Sequence, residues 1–475
     1  MKNIKLFLSV IVIAFIFSAC AGDAEPGTVP PPEVTPPVLP GEVLEPTDVG
    51  IVGPPERDLG GLEIRIVNWT REGCTETADP ESAAMRARWD DRADMEERYN
   101  FRIRYYRYGS WGDVRDGVQP EILAGSRAYT IWELEPSWFV THHGQRLFAP
   151  IPMQYFEDDY GIDWNPSVLE LTMRDGSPHG WAAGEELAGG VFFNQRLFEE
   201  AGLEYDLPFT LQREGNWTWD TFLEAARRLS RDIDGDGIID TWALTAFNND
   251  FLNRLMASNN AAFATIDPVT GEFVNASNTP QFLEAIEFAV QMRTEMLAFH
   301  EMDIGGYWNS FIQMFDEGHG AMRSAENYVS GNLLLTDPWG FVSFPRGPSA
   351  VGNVTYDWIM RHINVIPHFF SEEEISDIMF AVQRWIRPIP GEDPDDWLFA
   401  NLVLHPDTRS VEETIRYFTR PPQYQLMPTH QMMPGLGHTI GNTFAWRVWS
   451  GNEPSVIVEE AQLVWGDFIQ RVNAM

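Results

Sequence analysis

Lysine is almost absent from this chain. Lys2 and Lys5 are the only two in 475 residues, so every later side-chain cation is an arginine or a histidine. Positive charge is scarce overall: 33 Lys and Arg stand against 70 Asp and Glu, a formal net charge of −37. Nucleic acid and anionic lipid would be repelled by such a chain, and an anionic small ligand is a poor match for it. Cysteine is nearly missing too, with only Cys20 and Cys74. Beyond the first twenty residues, no apolar run approaches the ~20 residues that a membrane-crossing helix needs. There is no Gly-x-Ser-x-Gly elbow, no His-Glu-x-x-His pair and no phosphate loop. No internal repeat is visible.

What is present begins at the N-terminus. Lys2 and Lys5 precede an apolar run from Leu6 to Phe17, and Ser18-Ala19-Cys20 closes it with small residues and a thiol. Charge, apolar stretch and small residues in that order predict a secretory signal over residues 1–19. The ending resembles a bacterial lipobox, with Phe17 where leucine is usual. That resemblance implies lipidation of Cys20 and an extracytoplasmic protein anchored to the cell membrane. Cys74 then stands alone, and no intramolecular disulfide forms. The stretch Ala21–Gly60 holds ten prolines, eight acids and no aromatic residue. Such a composition buries too little apolar surface to fold and predicts a disordered linker over 20–60. At about 3.1 Å per residue it could reach roughly 120 Å.

The remaining chain is longer than one hydrophobic core usually spans, so two domains are expected. Leu62–Val67 and Phe101–Tyr105 alternate apolar and polar residues and read as strands. Ser82–Tyr99 between them reads as a helix with Met85, Trp89 and Met95 on one side. This βαβ order predicts a parallel sheet covered by helices on both faces. Thr130–Leu134 is the next strand, and Glu135-Pro136 ends it. Ligands of open α/β sheets sit beyond the carboxyl ends of strands, which places Glu135 and Trp138 where a ligand could meet them. Farther on, Thr218 and Ser371 stand at helix N-cap positions, Ser371 with Glu374 in a capping box, and Thr279-Pro280 opens a third helix.

The middle of the chain carries a set of motifs in a fixed order. Gly190-Val191-Phe192-Phe193-Asn194-Gln195-Arg196-Leu197-Phe198-Glu199-Glu200-Ala201-Gly202-Leu203 comes first, and Thr218-Trp219-Asp220-Thr221-Phe222-Leu223-Glu224-Ala225-Ala226-Arg227-Arg228-Leu229 follows. Phe315 to Met322 and Phe344-Pro345-Arg346-Gly347-Pro348 continue the series. Together they resemble the extracellular solute-binding proteins of carbohydrate ABC transporters, the maltose-binding-protein-like group. The resemblance implies an α/β, two-lobe periplasmic-binding-protein-like (type II) fold with interleaved lobes and a hinge. It implies a monomer that captures a sugar or oligosaccharide, delivers it to ABC permease subunits and is not an enzyme. The expected lobes are 61–171 with about 318–365, and 172–317 with about 366–475.

Asp232, Asp234, Asp236, Gly237 and Asp240 match positions 1, 3, 5, 6 and 9 of a calcium loop, but Ala243 stands where the bidentate Glu belongs. Two readings stay open: a structural calcium site, or an Asx-rich turn with solvated acids. No other cofactor is implied. His142 and His143 lack further ligands at useful spacing and read as surface residues.

Eighteen tryptophans exceed what a core needs. Aromatic faces cover the flat C–H faces of sugars, while carboxylates and amides bond hydroxyls. Each Trp buries roughly 150–250 Å², worth at most about 4–6 kcal/mol at ~25 cal/mol per Å². A few stacks and hydrogen bonds thus reach micromolar affinity, ~8 kcal/mol, after association costs. The expected ligand-binding residues are Glu135, Trp138, Trp181 before the Val191–Asn194 strand, Asn248 after the Thr241–Phe247 strand, and Trp358. Glu326 and Tyr328 join them after the Ala321–Met322 strand, where the resemblance implies a ligand-stacking aromatic. For each Trp taken singly, a core role is as good a reading. Two other functions share these residues: a glycoside-processing enzyme, which needs two carboxyl groups ~5–9 Å apart, and a sugar sensor that presents its ligand to a membrane kinase.

Overall fold

The chain divides into two units, Met1–Pro55 and Glu56–Met475. The computed structural model describes residues 57–69, 83–157, 160–184, 189–267, 270, 272–299, 310–351, 355–357, 361–389, 391–392, 396–418, 424–426 and 444–474. All of them belong to the second unit. Cys20, the signal, most of the linker, Cys74 and Trp358 lie outside the described residues.

Two four-stranded sheets organise this unit. The first contains β1 (Leu62–Asn68), β2 (Phe101–Arg107), β3 (Ile131–Leu134) and a late strand, β8 (Ile363–Val365), in the order β8-β3-β1-β2. Its first three strands are parallel, with Leu62 opposite Phe101 and Ile66 opposite Ile131. β8 runs antiparallel to β3, Ile363 opposite Leu134. Helices α1 (Ala83–Tyr99), α2 (Trp111–Leu123) and α3 (Pro136–His143) follow β1, β2 and β3 in turn. The second sheet contains β4 (Gly189–Asn194), β5 (Trp242–Ala246), β6 (Gly320–Glu326) and β7 (Trp339–Ser343), in the order β7-β4-β6-β5. It is mixed rather than parallel, because β4 runs against both of its neighbours.

Alternation on the strands feeds two cores in the first lobe. Ile64, Ile66, Ile103 and Ile131 pack against Ile375, Ile378, Met379 and Val382 of α7 (Glu372–Ile386). Val67, Trp132 and Leu134 face the other way, onto Val114, Val118 and Phe139. The second lobe is built around Phe193, Phe209, Phe222, Phe251, Phe263 and Phe282, with Trp465 of α8 (Pro454–Asn473) closing it. Here α4 (Trp219–Leu229), α5 (Asn248–Ser258) and α6 (Pro280–Thr294) supply the apolar faces. Gly190 permits β4 and β7 to close: a Cβ there would lie 2.3 Å from the Val342 carbonyl oxygen.

The helix starts agree with expectation. Thr218 accepts from the Thr221 amide, Thr279 from Phe282, and Ser371 forms the full capping box with Glu374. The division between lobes differs from expectation in three places. Residues 320–343 belong to the second lobe, because β6 finds its hydrogen-bond partners in β4 and β5. Residues 366–386 return to the first lobe, where α7 buries its apolar stripe. Trp181 and Ala182 also stay with the first lobe. Interleaving itself is present, with different boundaries. The α1 helix also departs from expectation, because Met85 is exposed and Met95 packs only partly against the core.

Two substitutions rank the forces. Phe222→Ala empties a fully buried position and is expected to cost about 3–5 kcal/mol. Ser371→Ala removes one cap and is expected to cost about 1 kcal/mol. Thermal unfolding of the two variants should show the larger shift for Phe222→Ala.

Candidate functional site

The first sheet gathers its ends at one edge. Trp69 follows β1, Trp111 opens α2 just after β2, and Glu135 caps α3 just after β3, with Trp138 one turn on. Parallel strands put all of these on the carboxyl side. The indoles of Trp69 and Trp138 lie 5.3 Å apart edge to face, and those of Trp111 and Trp138 lie 4.8 Å apart. Trp111 donates its Nε1–H to Glu135 at 3.2 Å. The antiparallel β8 brings His362 opposite Glu135. His362 packs on Trp69 at 4.5 Å and sits 3.7 Å from Glu133 and 3.8 Å from Glu135.

The second sheet offers a facing wall. β6 ends in Glu326, and Tyr328 follows in a single turn of 3₁₀ helix. Arg254 of α5 is fully buried and donates a close hydrogen bond to Glu326, with Ser324 Oγ 3.5 Å away. Asn248 and Asp250 lie in the first turn of the same helix. Among the described residues, nothing hydrogen-bonds to the buried side-chain amide oxygens (Oδ1) of Asn248, Asn249, Asn253 and Asn327. Buried acceptors of this kind want a donor.

The two walls act on one another electrostatically. Burial pushes the Glu135 carboxyl above the usual carboxylate range; the His362 charge and the Trp111 hydrogen bond pull it back, and Glu326 pushes it further up. Desolvation pushes the Tyr328 hydroxyl up to about 12, with Glu326, Asp250 and Glu135 adding to it. Glu135 and Glu326 come from different lobes, so the end of β3 and the end of β6 lie near enough to act on one another, with the space between them the candidate crevice.

Of the expected residues, Glu135 and Trp138 stand at the end of β3, Glu326 and Tyr328 at the end of β6, and Asn248 opens α5, the helix that carries Arg254. Trp138 is buried between two other indoles and backs the wall, whereas Trp111 and Tyr328 are 45% and 54% exposed and offer their faces. Trp181 is set apart in the first-lobe core. It lines a cavity of about 330 Å³ with Ile66, Ile131 and Trp385, and that cavity reaches Glu133 and His362. Trp69, Trp111, His362 and Arg254 were not expected. The strand-end rule that selects Glu135 would have selected Trp69 and Trp111 as well; His362 and Arg254 depend on pairings far apart in sequence.

Two other groups are clear of the crevice wall. Asp232, Asp234 and Asp240 bring carboxylate oxygens within 4.8 Å of one another, and Asp236 is not in that group. The same carboxylates accept loop amides: Asp232 from Gly235 and Gly237, Asp234 from Asp236, Asp240 from Ile233. The turn is thus closed by its own hydrogen bonds, and its three convergent acids suit a hard cation in part. His142 is buried rather than on the surface, and His143 is half-buried, stacked on Phe139 and edge-on to His179. Desolvation, with His179 and Arg174 adding to it, holds His143 at about 4, uncharged at neutral pH.

Known proteins place this architecture. The family described as bacterial extracellular solute-binding protein matches residues 81–362, more than half of the chain. The chain belongs to this family. No curated protein sequence matches this solute-binding protein. Solved structures share its two-lobe fold. The ABC substrate-binding protein Lmo0181 of Listeria monocytogenes, in complex with cycloalternan, has a TM-score of 0.59 at 16% identity, covering 86% of this chain and 98% of that one. UgpB of Mycobacterium tuberculosis, in complex with glycerophosphocholine, has a TM-score of 0.59 at 15% identity, covering 82% and 95%. The galacto-N-biose/lacto-N-biose I-binding protein of Bifidobacterium longum, in complex with lacto-N-biose, has a TM-score of 0.58 at 14% identity, covering 87% and 98%. The family and these relatives are binding proteins, and the family is extracytoplasmic.

A carboxyl with a raised pKa is stabilising only while protonated. That contribution is complete below the unfolded value of 4.5 and is lost as pH rises through the folded value. Glu135→Gln removes this half-buried charge. Its melting temperature is expected to exceed wild type at pH 7.5 and to converge with it by pH 4.

Proposed function

We propose that this solute-binding protein is the receptor of a carbohydrate ABC importer. It captures a sugar or oligosaccharide between its two lobes and presents the closed form to membrane permease subunits. The observation that carries the reading is the wall of Trp69, Trp111 and Trp138 with Glu135, set across a crevice from Glu326 and Tyr328. Exposed aromatic faces suit the C–H faces of pyranose rings, and carboxylates and amides suit their hydroxyls. The relatives bound to cycloalternan and lacto-N-biose support a sugar ligand.

Closure is favoured only to the extent that the ligand binds the closed form better than the open one. Each lobe keeps its own sheet and core, so the lobes can move as bodies. In this reading the protein works as a monomer, lipidated at Cys20 outside the cytoplasm, and turns over no substrate. Glu135 and Glu326 also have the makings of a glycosidase pair, since one carboxyl is raised beside another. Product analysis separates the two readings.

A thermal-shift screen of mono- and oligosaccharides, followed by solution scattering and chromatography, tests this function. A saturating sugar is expected to raise the melting temperature, shrink the radius of gyration and be recovered unchanged. Released products would make the protein a hydrolase, and a ligand that alters neither melting nor size would end the closure mechanism. For the anchor, Cys20→Ala is expected to release the protein from the membrane fraction into the medium.

A further inference from the structure

The crevice wall leaves one large cavity of the first lobe unexplained. It holds about 330 Å³ between the first sheet and α7. Its floor is Ile66, Ile103 and Ile131 of the strands, Val382 and Trp385 of α7, and Trp181, all of them buried. Glu133, Arg361, His362 and Asn364 line its half-exposed end together with Ala183. Protein interiors seldom keep a void much larger than a water molecule. An apolar cavity of roughly 150 Å³ already admits benzene, and this one is about twice that size. It falls within the size range of small-molecule pockets, about 300–1,000 Å³.

The cavity leads toward the crevice. Ile131, Glu133 and Glu135 alternate along β3 and just past its end, so they share one face. Successive side chains on such a face are about 7 Å apart. Ile131 lies on the floor, Glu133 at the half-exposed end, and Glu135 in the crevice wall. His362 spans the junction, 3.7 Å from Glu133 and 3.8 Å from Glu135. A ring held at Glu135 and a second ring joined to it through one oxygen can span that step.

The lining says which kind of ring enters. Glu133, Arg361 and His362 have partners within the protein, and Asn364 donates to the Trp181 carbonyl oxygen. Beneath them the surface is aliphatic and aromatic. A pyranose there would bury hydroxyls without hydrogen bonds, which is costly. A flat aromatic ring carries its apolar area into such a space at no such cost. At the floor, the buried indole Nε1–H of Trp385 has no acceptor. One oxygen on the entering ring would supply it.

We propose that the ligand is an aryl glycoside: its sugar occupies the crevice, and its aglycone, an aromatic ring bearing a hydroxyl or ether oxygen, fills the first-lobe cavity. This inference rests on the reading of the protein as a sugar receptor and names the class of its ligand.

Titration calorimetry with matched β-glucosides and β-galactosides tests it. Each sugar is offered as its methyl glycoside, its 4-hydroxyphenyl glycoside and its β-1,4-linked disaccharide with glucose, with malto-oligosaccharides as an unrelated sugar. The 4-hydroxyphenyl glycoside of at least one sugar is expected to bind tenfold or more tighter than both of its counterparts. Ala183→Phe, which narrows the cavity and lies outside the crevice wall, is expected to abolish that preference while changing methyl-glycoside affinity less than threefold. Binding of the methyl glycoside or the disaccharide as tightly as the aryl glycoside would overturn the inference and leave the sugar receptor standing. A preference that survives in Ala183→Phe, or binding of malto-oligosaccharides alone, would do the same. If no sugar or glycoside binds, the receptor reading falls and the inference with it. Should Ala183→Phe fail to fold, a structure of the wild type with the 4-hydroxyphenyl glycoside decides: a ring outside the cavity overturns the inference.

Discussion

Parallel pairing of β1, β2 and β3 is the constraint on which the site depends. Parallel strands must be joined by crossovers, so the chain leaves the same edge of the sheet after each strand. Whatever residue comes next is delivered to that edge. Trp69, Trp111 and Glu135 are those residues, and Trp138 is carried one turn beyond. β8 adds His362 to the same edge from more than two hundred residues away, because it enters the sheet from the opposite direction. The wall is therefore assembled by topology, and the side chains come from four separate stretches of sequence.

The electrostatics of the crevice follow from the same arrangement. Acids that would be unremarkable on a surface are pressed together where water is scarce. Desolvation raises Glu135, and the raised group gains from any partner that brings a proton donor or a positive charge. Arg254 shows another outcome: buried completely, it is matched by Glu326, and the pair holds the wall in place.

Local elements were legible because their causes are local. The caps at Thr218, Thr279 and Ser371 depend on residues three positions apart, and all three form as their spacing implies. Strands at Leu62 and Phe101 follow from alternation. The lobe boundaries were not legible. Residues 320–326 read as a strand from their neighbours alone, but nothing nearby says that the strand joins Gly189–Asn194 rather than the first sheet. Trp181 and Trp138 show the same limit for single residues: each stands beside a strand, yet one lines a core cavity and the other backs a wall.

The amino-acid sequence by itself determined the class of the fold, the acidity of the molecule, the positions of its helix starts, and the rule that strand ends would carry the site. Those depend on periodicity, composition and short spacings, which are properties of contiguous residues. Only the tertiary structure decided that His362 meets Glu133 and Glu135 and that Arg254 neutralises Glu326. Such choices depend on which of many acids and few arginines meet in space, and that is set by long-range strand pairing and helix packing.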